Sequence, residues 1–486
     1  MIDEIINKAK KENKSVYIFA HKYPDGDAVT SSTALAEYFK IHGIDAKYVV
    51  SSQVRLFQNI VGEISTTSDV PSGNISLIVD TSTLSYAEND LFKSSATEDT
   101  YVIDHHQKDE HTPCIEDELN LPKENVIRDL GASSTCEILV SEFNRENVNP
   151  EIANRLTLGL LSDTAKLKFI KPHTLDNLAK LIEMGADYEK ISSISNRKSR
   201  LKDDVALAKV LLRTKKVQIG DSFGLVLSIS NDSAQNLLSR YGIRNPQKKI
   251  FKMEDIEGCC LACTVAENER NSYTFELRNS STYGNLNVFA LALHYKGGGH
   301  YGASGFTLTN DTLSLEDATS EVIHKAQDMY SKDSGFTDLP QESEANKTLA
   351  KIFSRTQRLS HNITPDILKE VSGLIENGAD YKYYMHSFKT YTEFMLQNEL
   401  LSKIPDFKLN DKFPSIRIKL SERDVSFLTK KYNASDEQIL GCITAFSKIN
   451  IKNASIYLPD GRGTTIDKNG NIRRVTAEAL ERKNGR

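Results

Sequence analysis

The segment VIDHHQ, Val102–Gln107, decides the fold that this sequence predicts. A run of apolar and aromatic residues, Tyr101–Ile103, leads directly into an aspartate and two histidines. Such a run is typical of a buried parallel strand, and ligand-binding side chains collect at the carboxyl ends of parallel strands. Because neighbouring side chains of a strand point to opposite faces, His105 and His106 are predicted to have different roles. One of them can reach a metal ion while the other faces a substrate.

A second group of polar residues follows the first apolar strand of the chain. His21, Asp25 and Asp27 lie together in the loop HKYPDGDA. Its proline and glycine favour a turn, but three side chains that can bind a hard metal ion are more than a turn requires. Either Ser31 or Ser32 is predicted to cap the helix that follows this loop.

Two more aspartates follow predicted elements farther along the chain. Asp80 comes directly after the apolar run Ile75–Val79, and Asp163 lies in the motif Ser-Asp-Thr after a helix predicted at about Ile152–Leu161. This alternation of strands and helices predicts an α/β domain with a parallel sheet and helices on both faces. The candidate metal ligands are His21, Asp25, Asp27, Asp80, His105 and Asp163.

Two imidazoles and four carboxylates form a donor set that suits Mn²⁺ better than a structural zinc site, with Mg²⁺ or Co²⁺ as alternatives. Two ions about 3.5–4 Å apart can stabilise both the attacking and the leaving oxygen of an in-line phosphoryl displacement. One carboxylate has to bridge the two ions, and Asp80 is the best placed for that role. The predicted chemistry is therefore hydrolysis of a phosphate ester with two metal ions.

The chain changes character after a long helical stretch that is predicted at about Thr174–Thr214. Strand-like runs then surround one helix, which predicts a smaller α/β domain with a mixed sheet. This block ends in three glycines and a histidine, Gly297–His300. Their exposed backbone N–H groups suit an anion, and a flexible turn is the alternative interpretation. The polar segment Ser331–Glu344 is the best candidate for a linker.

The last segment, Ala345–Arg486, contains an echo of an earlier one. The octapeptide LIEMGADY at Leu181–Tyr188 recurs as LIENGADY at Leu374–Tyr381. We interpret the segment as a C-terminal α/β extension that is a degenerate copy of the helical bridge and second domain, with coincidence as the alternative. All candidate ligands precede Ser331, so a protein that ends near Ser334 is predicted to retain hydrolysis of the smallest substrates.

Length and composition agree with a soluble chain of several domains. The 486 residues divide into a catalytic domain at 1–190, a helical bridge at 191–214, a substrate-binding domain at 215–330 and the extension at 345–486. A net charge of -5 argues against a general polyanion-binding surface. Six cysteines do not form a disulfide framework, and no window approaches the ~18 apolar residues of a membrane span. The sequence therefore predicts a cytoplasmic protein with no membrane partner.

In this order, the motifs HxxPDGDA, VDTS, DHH and SDT, followed by GGGH, resemble those of the DHH phosphoesterase superfamily. The most similar branch is the nanoRNase and pAp-phosphatase type, which has a DHH-associated second domain. The resemblance covers about Met1–Tyr330. It implies that one metal ion is bound by His21, Asp25 and Asp80, and the second by Asp27, Asp80, His105 and Asp163.

The resemblance also implies roles for residues that do not bind metal. His106 would contact the scissile phosphate or assist the leaving oxygen, and Asp104 would orient the histidine pair. The residues implied to grip the terminal phosphate of the substrate are Arg278, Ser280, Gly298, Gly299 and His300. The chain departs from the family pattern at Thr30 and at Ala165–Lys168, positions that lie near the nucleotide in that family.

The implied function is that of a manganese-dependent phosphodiesterase or exonuclease, similar to an oligoribonuclease. It would hydrolyse short oligonucleotides or nucleoside 3',5'-bisphosphate (pAp) to mononucleotides. A phosphodiesterase for cyclic or linear dinucleotides is the first alternative, and a non-catalytic nucleotide-binding sensor is an alternative of a different class. The expected partner is a nucleotide substrate, and assembly as a homodimer is left open.

Overall fold

The structure is a computed structural model of the 486-residue chain. It describes residues 1–22, 24–49, 66–67, 70–71, 73–84, 87, 99–106, 113–195, 199–247, 253, 256–268, 272–279, 286–300, 302–309, 312–330, 343–385, 390–405 and 414–476. The chain divides into two compact units. The first contains Met1–Arg197 and Pro340–Met385, and the second contains Lys198–Leu339 and His386–Arg486. The C-terminal extension thus contributes to both units.

Six parallel strands form the sheet of the first unit. They are β1 (Val16–Phe19), β2 (Ala46–Val49), β3 (Thr66–Thr67), β4 (Ile75–Val79), β5 (Thr100–Asp104) and β6 (Val126–Arg128). Their order is β3-β2-β1-β4-β5-β6, and every neighbouring pair is parallel. Successive residues of β1 belong to different hydrophobic clusters, with Ile18 in one and Phe19 in the other. Such burial on both faces explains the continuous apolar runs, and the predicted parallel-sheet α/β fold is confirmed.

Helices surround this sheet. They are α1 (Ile2–Glu12), α2 (Gly26–Ile41), α3 (Ile115–Glu118), α4 (Thr135–Glu142), α5 (Pro150–Asp163), α6 (Thr174–Glu183) and α7 (Tyr188–Ser195). None of the helices that the structure describes is long and apolar enough to cross a membrane.

The cap of α2 differs from the prediction. Asp25 caps this helix, because its Oδ1 accepts hydrogen bonds from the backbone N–H groups of Asp27 at 3.0 Å and Ala28 at 3.2 Å. Ser31 and Ser32 lie inside the helix instead, and each hydroxyl donates to a backbone carbonyl one turn earlier at 2.7 Å. The prediction of a serine cap was wrong because an aspartate already stands directly after the turn.

The second unit begins with helix and mixed sheet. Its first elements are α8 (Leu201–Leu211), β7 (Lys215–Ile219), β8 (Ser222–Ile229), α9 (Asn231–Asn236), β9 (Cys259–Asn268), β10 (Ser272–Asn279), α10 (Val288–His294), β11 (Gly298–His300), β12 (Ala303–Thr309) and α11 (Leu315–Met329). The strand order is β11-β12-β10-β9-β8-β7, with only β8 and β9 parallel among these pairs. The predicted mixed sheet is confirmed, whereas the predicted helical stretch at 174–214 consists of three separate helices, α6, α7 and α8.

The extension first returns to the first unit. Its helices there are α12 (Glu344–Arg355), α13 (Pro365–Glu376) and α14 (Tyr381–Met385). Helix α13 packs on α6, and Leu368 and Leu175 belong to the same hydrophobic cluster. The predicted linker lies largely outside the described residues, since 331–342 are not among them.

The extension then completes the second unit. Its elements there are α15 (Tyr391–Ser402), β13 (Ser415–Lys419), α16 (Glu422–Tyr432), α17 (Asp436–Gly441), β14 (Asn453–Tyr457), β15 (Arg462–Asp467) and β16 (Ile472–Thr476). Helix α15 packs on α8. Strands β13 and β14 are parallel and enclose a serine-capped helix, and β15 pairs antiparallel with β14. A parallel pair followed by an antiparallel strand also occurs in β8, β9 and β10, while two helices, α16 and α17, lie between β13 and β14. That the extension is a degenerate copy of the bridge and second domain stays a prediction.

Candidate metal centre

The first polar group of the site comes from the loop between β1 and α2. His21 pairs with Ala87 in an isolated bridge directly beyond β1. Its Nε2 lies 3.9 Å from Asp25 Oδ1 and 3.8 Å from Asp80 Oδ2. Asp25 therefore has two functions here, because the same carboxylate oxygen that caps α2 also faces the histidine. The strand end and the helix start fix both side chains within metal-binding reach of Asp80.

Asp27 is held from the opposite side, by the start of α4. Its Oδ2 accepts a hydrogen bond from Thr135 N at 2.6 Å, and its Oδ1 accepts one from Cys136 N at 3.0 Å. The amino end of a helix stabilises a negative charge through its unpaired N–H groups and its dipole. Asp27 is fully buried, so these donors replace the water that it would otherwise bind.

The amino end of α4 is itself anchored by a buried glutamate. Glu137 Oε2 accepts hydrogen bonds from Ser133 N at 2.8 Å and from Thr174 Oγ1 at 3.0 Å. Its Oε1 accepts a third bond from Asn177 Nδ2 at 3.1 Å. Helix α6 thereby fixes the donors that orient Asp27, which the sequence prediction did not include.

Asp80 stands directly after β4 in a left-handed backbone conformation, with φ of 50°. Its N–H still donates to Ile103 O at 3.1 Å, so the residue continues the pairing with β5 while its carboxylate turns into the site. Only 2% of the residue is exposed. An aspartate tolerates this conformation better than most non-glycine residues. The unfavourable left-handed conformation therefore occurs at Asp80, the residue that the most candidate ligands surround.

The three residues after Ile103 have different closest partners. Asp104 is fully buried, and its Oδ1 lies 2.7 Å from His106 Nδ1. His105 Nε2 lies 3.4 Å from Asp80 Oδ1 and 3.2 Å from Asp163 Oδ2, and His106 Nδ1 also lies 3.8 Å from Asp80 Oδ1. The rings of His105 and His106 are tilted by 47° to each other.

Arg128, at the end of β6, anchors this motif and was not predicted. Its Nη1 donates to Asp104 Oδ2 and, at 2.8 Å, to the carbonyl of His106. Its Nε and Nη2 donate to the two carboxylate oxygens of Glu116 at 2.7 and 2.6 Å. A planar guanidinium suits such a bidentate contact. Asp104 is thus held between a histidine and an arginine.

Asp163 is the last residue of α5 and reaches the site from the side of the helices. Its Oδ2 lies 3.2 Å from His105 Nε2, and its side chain is 8% exposed. The close approach of α5 to α2 and α4 depends on Gly159. A Cβ atom there would collide with Cys136 Sγ and Thr30 Oγ1, and would lie 2.8 Å from Asp27 Oδ1. Only glycine lets the helix bring Asp163 this near.

The candidate ligands form three overlapping groups, within each of which the ligand atoms lie no more than 4.8 Å apart. The groups are His21, Asp25 and Asp80; Asp27, Asp80, His105 and Asp163; and Asp80, His105 and His106. Asp80 belongs to all three. We call the six predicted ligands, His21, Asp25, Asp27, Asp80, His105 and Asp163, the metal edge. The structure brings all six together, and their binding of particular ions stays a prediction.

Electrostatics at the metal edge favour a cation. Burial, followed by the charge of Asp80, raises the pKa of Asp27 to about 7. Burial and the charge of Asp27 raise the pKa of Asp163 well above its ordinary value. Burial alone would lower the pKa of His105, but hydrogen bonds to Asp163 and Asp80 hold it well above the ordinary value. The carboxylates are therefore too crowded to be charged together without a compensating positive charge.

The donor set fits divalent manganese or magnesium. Carboxylate oxygens with imidazole nitrogens are ligands for Mn²⁺, and no cysteine occurs in any of the three groups formed by the described residues. Two overlapping groups that share one carboxylate offer places for two ions. The residues present therefore fit the predicted pair of metal ions.

The predicted substrate residues lie in the second unit and are described only in part. Arg278 on β10 pairs with Ala303 on β12, which pairs with His300 on β11, so the three backbones share one row of the sheet. Arg278 Nη1 donates to Leu277 O at 2.8 Å and lies 3.8 Å from Glu276 Oε2. Ser280 lies outside the described residues, and so does the side chain of His300.

The glycines before His300 have a structural reason. Gly298 and Gly299 form β11, and Gly299 has a φ of 133°, which side-chain-bearing residues rarely adopt. A Cβ at Gly299 would lie 2.5 Å from Ala303 O. We call the β11–β12 ribbon, 298–309, the glycine hairpin. Its tight pairing requires glycine whether or not it binds a phosphate, so the predicted phosphate contact is not tested by this geometry.

Comparison with known proteins agrees with this fold. The model of the DHH family, N-terminal domain, matches residues 15–160. That part of the chain is similar to the N-terminal domain of the DHH family. It contains five of the six residues of the metal edge, and the sixth, Asp163, follows three residues later.

Two known proteins are similar to this chain. The chain is 22% identical over 357 residues to the cyclic-di-AMP phosphodiesterase PdeA of Listeria monocytogenes serotype 1/2a (strain 10403S). The match covers 67% of this chain and 48% of PdeA, so the chain spans about half the length of that relative. The crystal structure of an exopolyphosphatase-related protein from Bacteroides fragilis has a TM-score of 0.52 and 20% identity, covering 67% of this chain and 96% of that one. This likeness shows the fold alone.

Proposed function

We propose that this chain is a metal-dependent phosphodiesterase, similar to an oligoribonuclease, that hydrolyses short oligonucleotides or pAp to mononucleotides with two Mn²⁺ ions. The observation that carries the proposal is the metal edge, where five oxygen- or nitrogen-bearing side chains converge on Asp80. A two-ion site for phosphate esters needs one carboxylate that is shared by two overlapping sets of ligands. A structural metal site does not need such a shared carboxylate. Mg²⁺ or Co²⁺ are the alternatives to Mn²⁺.

His21, Asp25 and Asp80 would hold one ion, and Asp27, Asp80, His105 and Asp163 the other. When bound, the ions would supply positive charge and Lewis acidity for the phosphoryl group. The side chains and backbone of the protein would hold the metal ligands in position and transfer protons. The start of α4 keeps Asp27 in place through Thr135 N and Cys136 N, and Arg128 keeps the DHH strand end in place through Asp104.

His106 is the residue that we assign to the leaving oxygen. Its Nδ1 faces Asp104 Oδ1 at 2.7 Å, which favours the tautomer or cation with a proton on Nδ1. As the imidazolium, with a proton on each ring nitrogen, His106 can then give its Nε2 proton to the departing oxygen. Asp104 is held charged, since His106 and Arg128 lower its pKa below the ordinary value although burial opposes them. The pair resembles other carboxylate-oriented histidines that act as general acids.

Capture of the nucleotide is assigned to the second unit. Arg278, Ser280, Gly298, Gly299 and His300 are the residues that we propose for the terminal phosphate. Support comes from the shared row of Arg278 and His300 and from the backbone N–H groups of a glycine-rich ribbon. A guanidinium contact to phosphate is worth roughly 1.5–3 kcal/mol.

A phosphodiesterase for cyclic or linear dinucleotides is the second candidate. It is supported by the name of the relative PdeA, a cyclic-di-AMP phosphodiesterase. A non-catalytic nucleotide sensor is the candidate of another class. It would bind nucleotides at the same place but release no product.

The deciding experiment is a product analysis with purified protein and Mn²⁺. The substrates are pAp, linear dinucleotides, cyclic dinucleotides and RNA of increasing length, each with and without chelator. The proposal expects metal-dependent release of mononucleotides, fastest for the shortest linear substrates. Preference for a cyclic dinucleotide would favour the second candidate. Binding without turnover of any substrate would contradict an enzyme and favour a sensor.

A further inference from the structure

The first unit contains two copies of one local structure. The first copy, 154–188, includes the end of α5 and all of α6. The second copy, 346–381, includes α12 and α13. In the first, Asn154 Oδ1 accepts a hydrogen bond from Asp187 N at 2.7 Å, and in the second, Asn346 Oδ1 accepts one from Asp380 N at 2.8 Å. The recurring octapeptide therefore marks a structural repeat.

The turns that follow α5 and α12 are equivalent in detail. Thr164 donates its hydroxyl proton to Leu160 O at 2.6 Å, and Thr356 donates to Ile352 O at 2.7 Å. Each threonine oxygen also accepts a bond from the N–H three residues later, at 3.0 and 3.1 Å. Three consecutive residues are left-handed in both turns: Ala165, Lys166 and Leu167 in the first, and Gln357, Arg358 and Leu359 in the second.

The two copies face each other and exchange the same contact. Tyr381 donates its hydroxyl proton to Leu167 O at 2.7 Å, and Tyr188 donates to Leu359 O. Both tyrosines are at most 5% exposed. A reciprocal exchange of this kind is what a two-fold axis produces between identical subunits. The extension thus supplies, within one chain, the contact that a second subunit would make.

The two copies differ at the position of the candidate metal ligand Asp163. The position of Asp163, directly before Thr164, is occupied in the second copy by Arg355. The Arg355 side chain is 59% exposed and pairs with Glu370 at 3.6 Å. The second copy therefore has the same turn and the same tyrosine but no metal ligand.

Because of this difference, Tyr381 contacts a turn next to a candidate metal ligand, whereas Tyr188 contacts a turn without one. The turn that Tyr381 contacts begins one residue after Asp163, whereas the turn that Tyr188 contacts begins after an exposed arginine. Three successive left-handed residues are disfavoured for amino acids with side chains, so the turn needs contacts that hold it. We propose that Tyr381 is a positioning residue that, through Leu167, keeps Asp163 in place for the metal ion shared with Asp27 and His105. This inference rests on the proposed metal-dependent function.

The test compares two matched variants, Tyr381→Phe and Tyr188→Phe. Both remove one buried hydroxyl and leave one carbonyl without that donor, so both lower the thermal stability of the metal-free protein to a similar degree. Mn²⁺ titration by calorimetry, followed by electron paramagnetic resonance, then measures the affinity of each of the two ions. We expect about 10-fold weaker binding of one ion in Tyr381→Phe, which is the usual size for loss of an outer-shell partner, and wild-type affinities in Tyr188→Phe.

The outcomes separate the inference from the proposed function. Two Mn²⁺ ions bound with equal affinity by wild type and both variants would overturn the role of Tyr381 and leave the function intact. Failure of the wild-type protein to bind Mn²⁺ would overturn both. If Tyr381→Phe does not fold, Asn346→Ala serves instead, because Asn346 holds the backbone next to Tyr381. A selective loss of one ion in that variant supports the inference, and unchanged affinities contradict it.

Discussion

The metal edge of the first unit and the glycine hairpin of the second unit hold their polar groups in opposite ways. At the metal edge, carboxylates are buried against one another, and Asp27 and Asp80 are 0% and 2% exposed. Beside the glycine hairpin, the side chain of Arg278 is 26% exposed and already contacts Leu277 O and Glu276. The crowded carboxylates of the first region favour a compensating cation, whereas Arg278 in the second region already has protein partners. Bond cleavage and substrate capture are therefore expected to respond differently to mutation.

The largest effect is expected for Asp80→Asn. Asparagine accepts the left-handed backbone of this position, so the fold is retained. The shared carboxylate is lost from all three ligand groups, and turnover should fall about 10³-fold or more. Turnover of bis(p-nitrophenyl) phosphate with Mn²⁺ measures this loss, and circular dichroism checks the fold. Near-normal turnover in a folded variant would show that Asp80 is not a bridging ligand.

A smaller loss is expected for Arg128→Lys, which keeps the charge but not the bidentate contact to Glu116. Asp104 would be less firmly held, and we expect turnover to fall about 10- to 100-fold. Arg145→Lys is the control, because Arg145 pairs with Glu183 at the surface. Equal turnover rates in Arg128→Lys and Arg145→Lys would show that Arg128 does not support the metal edge.

Arg278→Ala tests whether the second unit contributes to substrate capture rather than to bond cleavage. A phosphate contact of roughly 1.5–3 kcal/mol corresponds to about 10- to 150-fold in kcat/KM for a nucleotide substrate. The aryl diester bis(p-nitrophenyl) phosphate lacks the terminal phosphate, so its hydrolysis should change little. The ratio of the two losses is the measurement. Equal losses for both substrates would mean that the second unit does not capture the nucleotide.

The smallest effect is a pH dependence of stability. The pKa of Asp27 is raised from 3.8 to about 7 in the fold. In the metal-free protein its contribution to stability is therefore fully present below about pH 4 and is lost as the pH rises to about 7. Mn²⁺ binds the deprotonated carboxylate, so the increase in Tm on adding Mn²⁺ should be larger at pH 8 than at pH 5.5, by a few degrees.

Asp27→Asn is the matched control for this pH dependence, since it cannot titrate and still offers one acceptor to α4. Its metal-free Tm should vary less between pH 4 and pH 7 than that of the wild type. An identical pH profile in the wild type and in Asp27→Asn would contradict the raised pKa of Asp27.

The sequence predicted the parallel sheet and the convergence of six residues because both follow from local patterns. Apolar runs mark β1, β4 and β5, and parallel strands bring their carboxyl ends to one edge. His21, Asp80 and His105 are placed by this rule alone.

The remaining features depend on contacts between distant parts of the chain. Asp27 is held by Thr135, 108 residues away, and Tyr381 contacts Leu167 across 214 residues. Arg128 ends a short strand that has no distinctive pattern. The octapeptide repeat was visible, but the sequence alone did not show that its second copy packs on the first and contacts the turn after Asp163. The prediction that the extension is dispensable for small substrates is therefore opposed by our proposal for Tyr381.

The central claim is that two ions share Asp80 at the metal edge. Crystals of the wild-type protein soaked in Mn²⁺, with anomalous diffraction measured at the manganese absorption edge, test it most directly. We predict two anomalous peaks about 3.5–4 Å apart, one beside His21 and Asp25 and one beside Asp27, His105 and Asp163, with Asp80 contacting both. A single peak, or peaks that Asp80 does not contact, would contradict the two-metal site.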